Sequence, residues 1–321
     1  MVSKTALALE FKNGMVAEVV ADDLAKRLAA KDSVIWIHAV ASDPASLPEE
    51  VREIFNHCPL TFHDFHYGHP HPGIEQNRHA LGFTVSFPGR ERPTEYSHLG
   101  IYIGEGVLAT ITRKPSPMIE ALRTGWIDDP EDVGIDAPSL LRSLLDAAID
   151  EFYPALDDIH DRAELIEENL YKVKELDPTA PLAIKRELMV VRKKISPLRD
   201  NLNSLLRIGA PLIPASMHSQ FSDLLSQCLR VTENADLGRD IVTSIMDAQL
   251  GMVSNRLNEV LRTLTVISTI LMVCSLIAGI YGMNFTTMPE LHWNLGYPFA
   301  LGTMAFFAIS IILIFRRKKW I

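Results

Sequence analysis

The sequence predicts an α+β membrane protein: a cytosolic α/β sandwich domain, a helical hairpin, and a very long stalk helix that continues into the first of two transmembrane helices. Three observations carry this. Residues 5–125 carry short β-type runs rich in branched and aromatic residues, and no proline occurs between His218 and Tyr281. Residues 263–281 and 295–315 form uncharged runs of 19 and 21 residues. At about 1.5 Å per residue, either run crosses a hydrocarbon layer of ~30 Å.

In the first domain the short β-type runs are 6–11, 34–40, 80–87, 99–103 and 107–112. The last two flank Gly104-Glu105-Gly106 and read as a hairpin. Helical patterns lie between the strands at 21–30, 48–56 and 118–124. No GxGxxG, Walker loop or GxSxG interrupts them, so the usual nucleotide-fold and hydrolase signatures are missing.

From about Ser139 the pattern is helical, and charge separates along it. Residues 128–177 hold 16 acids against four bases, a net of −12, which leaves +3 for the rest of a chain whose total is −9. Asp157, Asp161, Glu164 and Glu168 fall on one helical stripe, with Leu156, Ile159, Ala163, Ile166 and Leu170 roughly opposite. Pro178 and Pro181 break this helix. The next, to about Ile208, carries seven bases, Lys185, Arg186, Arg192, Lys193, Lys194, Arg199 and Arg207, against Glu187 and Asp200. An antiparallel hairpin of acid and base helices follows. Two readings of its charge stand: solvated faces with ion pairs each worth under ~1 kcal/mol, or an electrostatic lure for cations.

A third helix begins near His218 and reads as continuous to Tyr281, about 95 Å of helix. Phe221, Leu224, Cys228, Val231, Ala235, Val242, Ile245, Gln249 and Met252 trace a seam along it. A stalk of that length needs partners, so copies of it are expected to pack around a symmetry axis. Arg256 and Arg262 precede the first span, Arg316, Arg317, Lys318 and Lys319 follow the second, and residues 282–294 contain no Lys or Arg. The positive-inside rule then places both termini in the cytoplasm. The first ten residues lack the basic start, apolar core and small-residue cleavage site of a signal peptide, so the first 260 residues are expected to stay on the side where they are made. Trp320 after the four bases suits an interfacial anchor in the lipid bilayer, against the bland alternative of two buried helices in a soluble protein.

Composition removes other classes. With 47% hydrophobic and 22% charged residues the chain is neither disordered nor collagen-like. A net charge of −9 argues against a nucleic-acid partner. Cys58, Cys228 and Cys274 show no CxxC spacing and suggest no disulfide framework.

If the seam continues into the membrane, it passes through Asn258, Leu261, Thr265 or Leu264, Ser268, Met272, Ser275 and Gly279. This face is small or hydroxyl-bearing with two bulky apolar interruptions, as a pore wall would be; the bland alternative is that hydroxyls bond back to their own helix. Neither span contains Asp, Glu, Lys or Arg, which disfavours proton-relay pumps and voltage sensors. A passive path lined by neutral oxygens remains.

At the outer end of the first span stands Tyr281-Gly282-Met283-Asn284, then Phe285, Met288-Pro289-Glu290-Leu291, Trp293, Gly296-Tyr297-Pro298 and the tetrabasic tail. This resembles the CorA family of pentameric divalent-cation channels, densely from about Asn258 to the C-terminus and more weakly, but in order, through the soluble region. The resemblance implies a homopentamer in the cell (inner) membrane that admits Mg²⁺, with Co²⁺ or Ni²⁺ as further cargo, and is not an enzyme and uses no organic cofactor. It implies a selectivity filter at Gly282, Met283 and Asn284, hydrophobic constrictions at Leu264 and Met272, a polar ring at Asn258 and a basic collar at the tail. Many members have proline directly after the position of Met272; here it is Val273, so the first span is expected to kink less. The resemblance also implies regulatory Mg²⁺ held between subunits by carboxylates. Asp64, in Pro59-Leu60-Thr61-Phe62-His63-Asp64, and Asp223 are the candidates, with Asp247 a third; a solvated charge or helix cap is the bland reading of a stalk aspartate.

Six of the 11 histidines, His57, His63, His66, His69, His71 and His79, cluster beside Cys58. Imidazole suits Zn²⁺, Co²⁺ and Ni²⁺ better than Mg²⁺, and His63 and His66 could share an ion on one helical turn. A polar surface loop is the competing reading. The histidines are the support for an alternative function, a zinc or other transition-metal transporter on the same scaffold. A non-conducting metal sensor and a membrane-tethered metalloenzyme using His63, His66 and Asp64 complete the set. The expected division is 1–138 for the α/β domain, 139–215 for the hairpin, 216–262 for the stalk, 263–281 and 295–315 for the spans, 282–294 for the extracytoplasmic loop and 316–321 for the cytoplasmic tail.

Overall fold

The computed structural model describes residues 6–19, 21–30, 32–41, 47–56, 73–77, 80–89, 95–170, 177, 179–209, 212–284, 288–289, 293–318 and 320. It divides into two units, 1–245 and 246–321.

The branched runs of the first unit form strands because their side chains fill both faces of a sheet. β1 (Ala6–Lys12), β2 (Met15–Val19), β3 (Val34–Val40), β4 (Glu75–Asn77), β5 (Ala80–Pro88), β6 (Tyr96–Gly104) and β7 (Val107–Thr112) build one seven-stranded sheet in the order β2-β1-β3-β7-β6-β5-β4. All neighbouring pairs are antiparallel except β3 and β7, which run parallel. β6 and β7 form the expected hairpin, Gly104 opposite Val107, and Gly106 supplies the positive φ of 73° that the two-residue turn requires.

Successive residues alternate between two cores. Ile35, Ile37 and Ala39 of β3 and Val107, Ala109 and Ile111 of β7 pack beneath α1 (Ala21–Ala30) and α2 (Glu49–Asn56), with Leu24, Val51 and Ile54 from those helices. Trp36 and Leu108 turn to the other face and join a larger core built on the remaining helices. Those are α3 (Pro117–Asp128), the one-turn α4 (Pro130–Val133), α5 (Ala137–Asp150), α6 (Phe152–Leu170), α7 (Ala180–Ile208) and the first part of α8 (His218–Tyr281). The sheet therefore lies between helices on both faces. α5 starts on a reciprocal cap: the Asp136 carboxylate accepts from the Ser139 amide at 2.7 Å, and the Ser139 hydroxyl accepts from the Asp136 amide at 3.1 Å.

Strands β2 and β4 lie outside the sequence expectation. β2 returns on β1 through Asn13-Gly14, both at positive φ, 53° and 79°. β4 is three residues long on the sheet edge and has too little pattern to be read locally.

The seam on the long helix is corrected. α8 runs without interruption over 64 residues, as expected. Phe221, Leu224, Cys228, Val231, Ala235 and Val242, however, belong to the chain's own core, together with Leu188, Val191, Ile195 and Leu198 of α7. Helical periodicity reports that a face is buried and is silent on whether the partner is the same chain or a copy.

The second unit holds the rest of α8 and α9 (Gly296–Arg317). Both contain stretches long and apolar enough to cross a membrane, with mean hydropathy of 2.2 and 2.3 over their best windows.

Candidate functional site

The second half of α8 is sorted by exposure. Val266 is buried and Thr269, Ile270, Val273, Cys274, Ile277 and Tyr281 are half-buried, a set whose members recur three and four residues apart and so make one stripe. Asn258, Leu261, Leu264, Ser268, Met272, Ser275 and Gly279 are all exposed. At 100° per residue their centre lies on the far side of the helix from the covered stripe, by about 165°. The seven residues singled out as pore-lining therefore share a face that the chain leaves open.

The threonines show how hydroxyls are accommodated in an apolar helix. Thr265 Oγ1 donates to the Leu261 carbonyl at 2.7 Å and Thr269 Oγ1 to the Thr265 carbonyl at 2.8 Å. Thr265 thus satisfies its own helix, which leaves Leu264 as the bulky member of the open face at that level.

α8 ends at Tyr281. The Gly282 amide donates to the Ala278 carbonyl at 2.9 Å and the Met283 amide to the Ile280 carbonyl at 3.3 Å, closing the last turn. A Cβ on residue 282 would stand 3.1 Å from the Ala278 carbonyl oxygen, so glycine permits this tight exit. Gly282, Met283 and Asn284 are exposed, and Asn284 stands three residues beyond the last residue of α8. An amide offers a carbonyl oxygen and two N–H donors without net charge. α9 begins beside the Trp293 and Phe299 rings, 6.0 Å apart, and ends with Arg316 and Arg317 in its last turn and the Phe315 and Trp320 rings 5.3 Å apart. Basic groups there complement the helix dipole, and paired aromatic rings suit a membrane interface.

Of the regulatory candidates, Asp223 and Asp247 are exposed on α8, Asp223 in the first unit and Asp247 in the second. Asp64, His63 and His66 lie outside the described residues, as do the four other clustered histidines. Among the described residues no three His, Cys, Asp or Glu side chains converge as a metal site would require.

Two helices able to span a membrane, an uncharged exposed face on one of them and a Gly-Met-Asn exit define the class: a membrane protein with two candidate spans. The family model of the CorA-like Mg²⁺ transporter protein matches residues 31–317, and the chain belongs to that family. The cobalt/magnesium transport protein CorA of Thermotoga maritima is 30% identical over 296 residues, 89% of this chain and 83% of that protein. In fold, the chain is similar to the complete CorA magnesium transporter of Methanocaldococcus jannaschii, with a TM-score of 0.80, 23% identity and full coverage of both chains. The ZntB cytoplasmic domain of Vibrio parahaemolyticus has a TM-score of 0.61 at 15% identity over 78% of this chain and 98% of that one.

Proposed function

We propose that this protein is a homopentameric, channel-type transporter that conducts divalent cations, Mg²⁺ foremost and Co²⁺ or Ni²⁺ besides, into the cytoplasm across the inner membrane. The observation that carries the reading is the exposed face from Asn258 to Gly279, which ends at Gly282-Met283-Asn284 and bears no charge.

In this reading five copies turn that face to a common axis and both termini lie in the cytoplasm. Mg²⁺ holds six waters in a tight octahedron and sheds them reluctantly. A ring of Asn284 amides accepts the hydrated ion through its waters, binding weakly enough to release it, where a carboxylate ring would hold it longer. Leu264 and Met272 narrow the path with apolar side chains and close it by dewetting. Ser268, Ser275 and Asn258 supply neutral oxygens between. A divalent ion moving down an inside-negative potential gains about 4.6 kcal/mol at 100 mV, so the potential alone drives uptake.

The test is ion flux into proteoliposomes under an imposed inside-negative potential, for wild type and Asn284→Ala, with Mg²⁺, Co²⁺, Ni²⁺ and Zn²⁺ supplied separately. Mg²⁺ influx that the substitution abolishes is the expected result. Zn²⁺ influx without Mg²⁺ would replace the proposed cargo, and no flux of any ion would turn the reading to a sensor.

A further inference from the structure

Two faces of the helical hairpin are left open by the chain itself. On α7, Leu182, Arg186, Met189, Val190 and Lys193 are all exposed; they recur three and four residues apart, on the side opposite buried Leu188 and Ile195. Met189 is 58% exposed, so an apolar centre lies between two cations. The acids beside this stripe are engaged: Glu187 Oε1 accepts from Arg162 at 3.1 Å and Asp236 Oδ1 from Arg192 at 2.7 Å. Arg186 and Lys193 make no ion pair among the described residues.

On α6 the signs are reversed. Asp157, Asp161, Glu164 and Leu165 are exposed and share one stripe, opposite buried Ile159 and Ala163. Leu165 is 58% exposed. Arg162, the one Lys or Arg of α6, is held by Asp158 at 3.0 Å and by Glu187. Asp157, Asp161 and Glu164 therefore keep their charge uncompensated, with no ion pair among the described residues.

The two stripes are complementary in charge and in spacing. Met189 and Val190 stand three and four residues from Arg186 and from Lys193; Leu165 stands four residues from Asp161 and three from Glu168. Laid side by side, the apolar centres cover one another and the acids meet the bases. Both stripes are exposed, so they do not meet within one chain. Two different faces of one molecule that fit each other make a heterologous contact, and such contacts close into rings. We propose that the α6 stripe of one copy docks on the α7 stripe of the next. The contact rests on the oligomer of the transport reading: two helices touching over about 12–16 Å bury less than a stable interface needs, so it orders copies that are joined elsewhere.

Leu165→Cys combined with Met189→Cys in the full-length protein, oxidised mildly in detergent and read on a non-reducing gel, tests it. A ladder of linked chains that reaches the whole ring is expected, because every link joins one copy to the next, while each single substitution keeps the wild-type pattern. Adding Arg186→Glu with Lys193→Glu should cut the linked fraction by roughly ten-fold, and Asp161→Lys with Glu164→Lys on top should restore it. All six positions are exposed, so the variants keep the fold, which an unchanged melting temperature reads. Light scattering on the same samples separates the two readings. Single copies would overturn the oligomer and the contact together. An intact oligomer with no links beyond the wild-type pattern, a ladder that stops at two chains, or linkage indifferent to the charge reversals would overturn the contact alone.

Discussion

Asn201 on α7 donates from Nδ2 to the carbonyl of Thr84 in β5 at 3.2 Å, across 117 positions of sequence. Its Oδ1 accepts from the Gly73 amide at 3.1 Å, and the side chain is fully buried. One amide thus ties the base-rich helix to the sheet and to the chain entering β4. Asn201→Leu removes both bonds and leaves the Gly73 amide and Thr84 carbonyl facing an apolar group. The expected loss is about 1–3 kcal/mol, read as a lower melting temperature by the fluorescence of buried Trp36 and Trp126.

His38 sits on β3 with Nδ1 2.9 Å from Thr110 Oγ1, and desolvation pushes its pKa down to about 4. The unfolded chain therefore takes up a proton near pH 6.5 that the folded chain refuses until about pH 4. The stability tied to this neutral imidazole is present above pH 6.5 and is lost as pH falls toward 4, by up to about 3 kcal/mol. His38→Gln should flatten that part of the stability profile, measured by thermal melts between those limits; an unchanged slope would assign the loss to other groups.

Gly238 on α8 faces His160 of α6 and Leu188 of α7. A Cβ at 238 would stand 2.8 Å from His160 Nε2 and 3.2 Å from Leu188 Cδ2. In the wild-type background Gly238→Ala should cost about 1–2 kcal/mol by overpacking. In a His160→Ala background the same change should stabilise by up to ~1 kcal/mol, since alanine is the better helix former. A double-mutant cycle reads the reversal of sign, and additive effects would exclude the contact.

Within the proposed channel, Met272→Ser puts a hydroxyl where an apolar constriction is needed. Flux at high internal Mg²⁺ should rise, because a polar ring stays wetted when the pathway is closed. Unchanged flux in proteoliposomes would remove Met272 from the gate.

We propose that cytosolic Mg²⁺, held between subunits by Asp64 and Asp223 as the family resemblance implies, inhibits flux through the channel. The pair Asp64→Ala and Asp223→Ala together should weaken inhibition of flux by Mg²⁺ on the cytoplasmic side, while Asp247→Ala alone should have the smaller effect. Inhibition that persists unaltered in the pair would refute the assignment.

Strands β3 and β7 were legible to the residue, since branched runs bounded by turn residues determine local extension. So was α8, where an unbroken 64 residues lie between Met217 and the glycine at 282. The hairpin at Asn13-Gly14 carried a strong turn signal that passed unread beside the weak amphipathicity of β2. The uncharged runs and the neutral stripe on α8 needed only composition and helical spacing, whereas the Gly-Met-Asn exit was marked out by its resemblance to the CorA family.

Sequence alone therefore determined the two membrane-length helices, the long helix and most strand limits, because each depends on neighbours within a turn or a few residues. Only the tertiary structure decided which strands pair, that β3 and β7 run parallel, and that Phe221 to Val242 face the chain's own α7. Those outcomes depend on contacts between residues far apart in sequence, where burial of a given apolar face is equally favourable against any complementary surface, and only the packed chain selects one.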